Sequence, residues 1–423
     1  MSHLCILLEG RVVAMATQDT KGSLSLTYED DWRESKHGYP ISLSMPLARR
    51  AHGDDFLRPF LEGLLPDNAQ ILEKWARRFS VSARNPFALL RHVGEDCAGA
   101  IQLVAPESIE DVLARNGRVE WLSEDEIASR LAGLREDSSA WRSPGDPGAF
   151  SLPGAQAKTA LHLADGRWGV PSGATPTTHI LKPPLPEFDG FVENEHLTLE
   201  LARACGLPAA RSQVIGFGDE LAIVVERFDR VVLDGEVRRV HQEDFCQALS
   251  IAPIYKYEAE GGPTAADLIR VLHERASDAR RDVSRIIDAL IFNWLVGGTD
   301  GHAKNYSVTI AAQGLVELSP LYDLATAAPY PLEVPWPKMK LAMKLGGEYR
   351  MKYIRPRHLD RLGDLAGLSD GELVARAQDL GELMLDRVSE GRDEGIRRGL
   401  DEASVTRWSN SLAEHVPRCL GLL

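Results

Sequence analysis

The chain has 423 residues, 44% of them hydrophobic and 26% charged, with a formal net charge of −14. This is the composition of an ordinary globular protein of two or three domains, and its acidity argues against this chain alone gripping nucleic acid over a large surface. MSHLCILLEG lacks the basic start and long apolar run of a signal peptide, runs such as ALIFNWLV are too short to span a bilayer, and five scattered cysteines without a C-x-x-C pair fit free thiols in a reducing, cytoplasmic compartment.

Residues 1–104 read mostly as strands and turns. CILLEGRVVAMAT predicts a hairpin turning at Glu9 and Gly10, and both SLSLTYED and YPISLSMPL alternate as strands do. FLRPFLEGLLPDNAQILEKWARRF carries a helical repeat, and CAGAIQLVAP predicts a strand ending at Pro106. Residues 107–140 are acidic and read as helical. The Gly- and Pro-rich stretch SSAWRSPGDPGAFSLPGAQAKTAL follows, which puts the edge of an N-terminal module within 105–145.

Further along, AKTALHLADGRWGV predicts a hairpin turning at Asp165 and Gly166, and THILKPP a short strand. DGFVENEHLTLELARACGLP predicts a helix with Asp189 as its cap and Gly206 as its stop, and ELAIVVERFDR a strand buried on both faces. From 240 onward helices dominate, apart from a hairpin at 306–319. The basic run YRMKYIRPRHLDR, 349–361, reads as a solvated helical face, or as a phosphate contact if a partner brings DNA near. The expected class is α+β with two lobes, in three parts: 1–105, 106–230 and 231–423.

The chemistry concentrates after residue 283. Val283, Ile286, Ile287, Leu290, Ile291 and Trp294 fall on one face of a buried helix that two glycines end, so the polar loop TDGHAKN stands on a rigid support. Asp300 and Asn305 have four residues between them, the D-x-x-x-x-N spacing of protein-kinase catalytic loops. There the Asp takes the proton of the attacking hydroxyl and the Asn oxygen holds Mg²⁺. YSVTIAAQGLVELSPLYD then predicts two strands about Gly314 and returns a second carboxylate, Asp323, as a metal–triphosphate site requires.

Upstream, Lys182 ends the apolar strand HIL, where its ammonium either emerges toward phosphates or only protects a sheet edge. SLPGAQAKTAL, with Gly154 and Lys158, is a candidate phosphate-covering loop, although it matches neither G-x-G-x-x-G nor the Walker pattern. Glu226 to Phe228 follow a buried strand, where a hinge offers backbone hydrogen bonds to an adenine. His302 contacts nucleotide, orients Asp300 or satisfies loop carbonyls; Lys304 can steady a transferring phosphate. Asp229 and Arg230 read as a salt-bridged turn, and Ser151 sits where most serines only close turns.

These motifs, in this order, resemble the HipA family of serine/threonine kinase toxins from bacterial toxin–antitoxin systems. The resemblance covers nearly the whole length, through SLSMPL, GEDCAGAIQL, SLPGAQAKTAL, THILKPP, ENEHLTLELARACGLP, VVERFDR, TDGHAKNYSV and LSPLYDLAT. It implies a two-lobed protein-kinase-like fold with a β-rich N-terminal module and a mostly helical C-terminal lobe, using ATP and Mg²⁺. Asp300 resembles the catalytic base, Asn305 and Asp323 the Mg²⁺ ligands, and Lys182 the phosphate-binding lysine. Pro153, Gly154, Ala155, Gln156, Ala157 and Lys158 resemble the ATP loop, and Glu226, Arg227 and Phe228 the adenine hinge. His302, Ala303, Lys304 and Asn305, with Tyr322 and Asp323, complete the nucleotide site. Ser151 matches the autophosphorylation serine, whose modification ejects the loop and shuts the kinase off. Pro153 and Ala157 depart from the family pattern of a small residue and often Glu. The family's targets are aminoacyl-tRNA synthetases, notably glutamyl-tRNA synthetase, and its partner is a small HipB-like helix-turn-helix antitoxin that carries the toxin to operator DNA. No membrane partner is implied. The alternatives are an antitoxin-bound, nucleotide-binding co-repressor with little kinase activity and, third, a metal hydrolase built on Asp300, His302 and Asp323.

Overall fold

The computed structural model describes residues 1–114, 117–137, 139–141 and 150–423. The turn-rich reading of 142–149 lies outside the described residues. The chain divides into two compact units, the first comprising 1–183, 216–254 and 308–316, the second 184–215, 255–307 and 317–423.

In the first unit a five-stranded sheet runs in the order Ala51–His52, Leu24–Tyr28, Arg11–Gln18, Ser2–Leu8, Gln102–Val104. Its first hairpin turns where expected, with Glu9 at φ 52° and Gly10 at φ 73°, the left-handed pair of a primed turn that follows strand twist. Cys5, Leu7 and Val104 pack on one face with Val112 of the short helix Ile109–Leu113. YPISLSMPL is not a strand: only an isolated bridge joins Ser42 and Met45. Side chains satisfy its backbone instead of a ladder. Tyr28 Oη donates to Met45 O and accepts from Ile41 N–H, and Glu243 Oε1 accepts from Leu43 N–H at 2.7 Å.

The helical repeat of 56–79 resolves into two helices, Asp54–Gly63 and Ala69–Phe79. The break falls around Pro66, and the Asn68 side chain caps the second helix by accepting from Gln70 N–H. Residues 107–140 are not wholly helical, since the strand Arg118–Trp121 separates Ile109–Leu113 from Glu124–Glu136. That strand edges a second, six-stranded sheet, of which the five strands lying wholly within this unit run antiparallel in the order Glu220–Glu226, His179–Lys182, Thr159–Ala164, Arg167–Ser172, Arg118–Trp121. The hairpin turn is again at Asp165 and Gly166.

Glu243 is fully buried, and only one of its oxygens is hydrogen-bonded among the described residues. Burial pushes its carboxyl up to about 8, against the Leu43 and Ser42 hydrogen bonds that lower it. The folded pKa thus lies above the unfolded 4.5, so the folded chain keeps a proton that the unfolded chain loses as pH rises. Stability should therefore fall between about pH 4.5 and pH 8. Urea unfolding at pH 5 and pH 8 should show a smaller loss for Glu243→Gln than for the wild type, the difference amounting to up to about 4 kcal/mol.

The second unit is mainly helical: Phe191–Ala204, Ala265–Arg275, Ala279–Val296, Pro356–Asp364, Glu372–Arg397 and Glu402–Leu420. Trp294, Met384 and Trp408 lie in its core. Asp189 does not cap the first of these helices. Gly190, at φ 71°, takes that position without a side-chain bond, while Asp189 O accepts from Tyr330 Oη. The expectation of helices beyond 240 missed a hairpin, Lys340–Leu345 with Glu348–Arg350. The basic run 349–361 accordingly spans a strand end, a 3₁₀ turn and the start of a helix. All five cysteines are free and only Cys205 is partly exposed. Among the described residues no helix is long and apolar enough to cross a membrane.

Candidate active site

The helix Ala279–Val296 buries Ile286, Ile287, Leu290, Ile291 and Trp294 to 4% exposure or less, as its periodicity requires. Gly297 at φ 76° ends it, and Gly298 N–H returns to Asn293 O at 2.7 Å, a glycine-terminated C-cap. Asn293 is the one amide in this apolar stretch. Its Nδ2 donates to Tyr306 Oη at 2.8 Å, across the neck of the loop that begins at Thr299. Sequence reasoning passed over both residues, although a buried Asn inside LIFNWLV demands a partner. A Cβ at position 298 would overlap Asn293 Oδ1. Gly298→Ala should displace Asn293, break its bond to Tyr306 and cost about 1–3 kcal/mol, read as a lower denaturant midpoint at unchanged m-value.

Within the loop, His302 N–H donates to Asp300 O at 2.8 Å and Asn305 N–H to His302 O at 2.9 Å, closing a tight turn. Asn305 Nδ2 donates to Asp300 O at 2.7 Å. A main-chain carbonyl only accepts, so this bond sets the orientation of the amide and turns Asn305 Oδ1 to the other side. The Asp300 carboxylate is exposed, with Oδ1 accepting from Tyr257 Oη at 2.7 Å. Tyr257 also sets its ring edge against His302, with centroids 5.0 Å apart, and Ala303 N–H donates to Lys256 O. Nothing in the sequence marked Tyr257, 43 residues away from Asp300.

Asp323 is brought to the same loop. Tyr322 Oη donates to Lys304 O at 2.7 Å. On one side Leu321 is held between Pro208 O and Ala210 N–H, and on the other Asn194 grips both the N–H and the carbonyl of Thr326. Buried Asp282 accepts from Leu318 N–H at 2.9 Å, tying the end of the hairpin Ser307–Ala311/Leu315–Leu318 to the supporting helix. Between these holds Asp323 sits exposed at φ 56°, a left-handed conformation that a non-glycine residue keeps only where its surroundings enforce it. An amide oxygen with a fixed direction and an exposed carboxylate are hard donors of the kind Mg²⁺ takes. Among the described residues no three of His, Cys, Asp and Glu group as a metal site.

The first unit carries the remaining candidates on neighbouring strands. Thr159–Ala164 pairs with His179–Lys182, which pairs with Glu220–Glu226, so the loop before Thr159, the buried Lys182 and the segment after Glu226 project from three adjacent strands. Gly154 adopts φ 107°, and Lys158 Nζ donates to Pro153 O at 2.6 Å, folding the loop on itself with Ala155 exposed and Gln156 and Ala157 half-buried. Ser151 is fully buried, its Oγ donating to Leu64 O at 2.7 Å. Glu226 is exposed and Phe228 half-buried. At Arg227 the guanidinium is buried against Asp229 and Asp96, and the main-chain N–H donates to Thr178 O. Its side chain belongs to the support of the segment. The Asp229–Arg230 ion pair is present at 3.2 Å as read, within that same buried cluster.

A model of the HipA-like C-terminal domain matches residues 150–389, and one of the HipA N-terminal domain matches residues 4–104. The chain is 35% identical to the protein Y4mE of Sinorhizobium fredii, over 96% of this chain and 95% of that one. It is 30% identical to the serine/threonine-protein kinase toxin HipA of Shewanella oneidensis, over 100% and 96%. Its structure superposes with a TM-score of 0.82, at 27% identity and over 98% and 96% of the two chains, on a chain from the Shewanella oneidensis complex of HipA, HipB and operator DNA.

Proposed function

Since this chain belongs to the HipA family of serine/threonine kinase toxins and has its kinase-like fold, we propose that it is an ATP- and Mg²⁺-dependent protein serine/threonine kinase acting on an aminoacyl-tRNA synthetase, glutamyl-tRNA synthetase first, in a cytoplasmic toxin–antitoxin module. The observation that carries the reading is the bond from Asn305 Nδ2 to the main-chain Asp300 O, which aims the Asn oxygen from the same loop that carries the Asp300 carboxylate. Asp300 Oδ2 takes the proton of a substrate hydroxyl as that oxygen bonds to the γ-phosphorus of ATP; the γ-phosphorus–oxygen bond to the β-phosphate breaks and ADP departs. Tyr257 holds Oδ1 of Asp300 and so fixes which oxygen faces the hydroxyl. Asn305 and Asp323 would hold Mg²⁺, which when bound neutralises charge on the phosphates. Lys182 and the loop Pro153–Lys158 bind the phosphates, and the segment Glu226–Phe228 meets the adenine.

Autophosphorylation at Ser151 requires the loop to leave its site, because the hydroxyl is buried. The solved relative that assembles with HipB and operator DNA supports a HipB-like antitoxin here, with operator DNA reached through it. The test is transfer from labelled ATP with Mg²⁺ onto the chain itself and onto glutamyl-tRNA synthetase, paired with calorimetry of ATP binding. Label on Ser151 and on the synthetase supports the proposal. Nucleotide binding without transfer would instead favour the antitoxin-bound co-repressor.

A further inference from the structure

We infer, on the reading that Asn305 and Asp323 hold Mg²⁺, that Asn194 of the helix Phe191–Ala204 is a positioning residue for that cation. It acts through the main chain that carries Asp323.

Residues 322–330 form no helix or strand, yet Leu324, Thr326, Ala327 and Tyr330 are buried. Buried main chain outside regular structure needs other partners. Thr326 finds both of its own in one side chain: its N–H donates to Asn194 Oδ1 at 3.0 Å, and its carbonyl accepts from Asn194 Nδ2 at 2.7 Å. These two bonds fix which end of the amide is oxygen.

Asn194 is 2% exposed, and the rest of its amide is also engaged. Oδ1 accepts from the Thr198 hydroxyl at 3.2 Å, and Nδ2 donates to Tyr330 Oη at 3.4 Å. Trp408 Nε1, on the helix Glu402–Leu420, donates in turn to Thr198 Oγ1 at 3.2 Å. The donors run one way, from Trp408 through Thr198 to Asn194, so turning the amide would leave a buried group unpaired.

What this knot controls is a separation. Ala327 N–H donates to Gly297 O at 3.0 Å, and Gly297 ends the helix from which the loop of Asp300 and Asn305 departs. A Cβ on Gly297 would stand 3.4 Å from Thr326 Oγ1, so the two segments run in contact there. Asp323 therefore lies between two ties: Tyr322 Oη on Lys304 O before it, and residues 326–327 on Asn194 and Gly297 after it. Its φ of 56° is the strained link between them. With Thr326 released, Asp323 can relax to an ordinary conformation and carry its carboxylate away from Asn305. Mg²⁺ tolerates little departure from octahedral geometry, so a small shift of one ligand weakens its binding.

Mn²⁺ binding to the full chain with a non-hydrolysable ATP analogue, read from the spin-resonance signal of free Mn²⁺, tests this. Asn194→Asp keeps the shape and the acceptor for Thr326 N–H, but sets a carboxylate oxygen against Thr326 O. A negative charge by itself draws cations, so weaker binding reports displacement. The variant should bind Mn²⁺ about ten-fold more weakly. Its affinity for the analogue without metal should stay at the wild-type value, and excess Mg²⁺ should restore its rate of transfer. Thr198→Val, which removes only the hydroxyl on Asn194 Oδ1, should show a smaller loss in the same direction and stands in if Asn194→Asp does not fold. Unchanged Mn²⁺ affinity in the folded variant, with only a lower unfolding midpoint, overturns the inference, because Asn194 would then serve stability alone. A wild-type chain that binds Mn²⁺ with the analogue but transfers no phosphate from ATP sinks the kinase proposal and leaves the inference standing. One that binds no Mn²⁺ sinks the metal reading and the inference with it.

Discussion

Asp300→Gln should reduce phosphotransfer by at least about a hundred-fold while leaving the unfolding curve close to that of the wild type. The rate effect follows from the chemistry: an amide cannot take the hydroxyl proton, and general-base assistance contributes about 10²–10⁴ in rate. The small stability effect follows from the placement. Asp300 is exposed, and its main-chain carbonyl, which holds both His302 N–H and Asn305 Nδ2, is unchanged by the substitution. Steady-state transfer to the proposed synthetase substrate measures the first quantity and urea unfolding the second. Normal transfer by a folded Asp300→Gln protein would remove Asp300 from the role of base.

Asp96→Asn should have the opposite profile, costing roughly 3–5 kcal/mol of stability. Asp96 and Asp229 lie within 4 Å of the guanidiniums of Arg227 and Arg230, and Asp96 also pairs with Arg239, so the cluster holds two carboxylates against three cations. Burial alone would raise the Asp96 carboxyl, but Arg230, Arg239 and Arg227 overcome it and hold the group below the ordinary carboxylate range. Removing the charge leaves three buried guanidiniums facing one carboxylate. The sign with pH follows from linkage. Asp96 and Asp229 both have folded pKa values below the unfolded 3.8, so their stabilisation is complete above that value and is lost as pH falls through the folded pKa values. The gap between wild type and Asp96→Asn should therefore be full at pH 7 and close only in strong acid, which denaturant unfolding at pH 7 and below pH 3 would reveal.

What the sequence by itself determined is whatever rests on local rules. The period of 283–294 placed a buried helix, Glu9-Gly10 and Asp165-Gly166 placed two hairpin turns, and the D-x-x-x-x-N spacing put Asp300 and Asn305 in one loop, because their geometry depends only on near neighbours. Local alternation misled at YPISLSMPL, where the partners that satisfy the backbone are Tyr28 and Glu243, the latter 200 residues from Leu43. Tertiary structure alone decided that Tyr257 would hold Asp300 and that Asn194 would grip Thr326 beside Asp323. It also turned Arg227 into a cluster with Asp96, 131 residues earlier in the chain. Such pairings join buried polar groups whose need for a partner is written in the sequence, whereas the identity of that partner depends on which distant segments the folded backbone brings within hydrogen-bond reach.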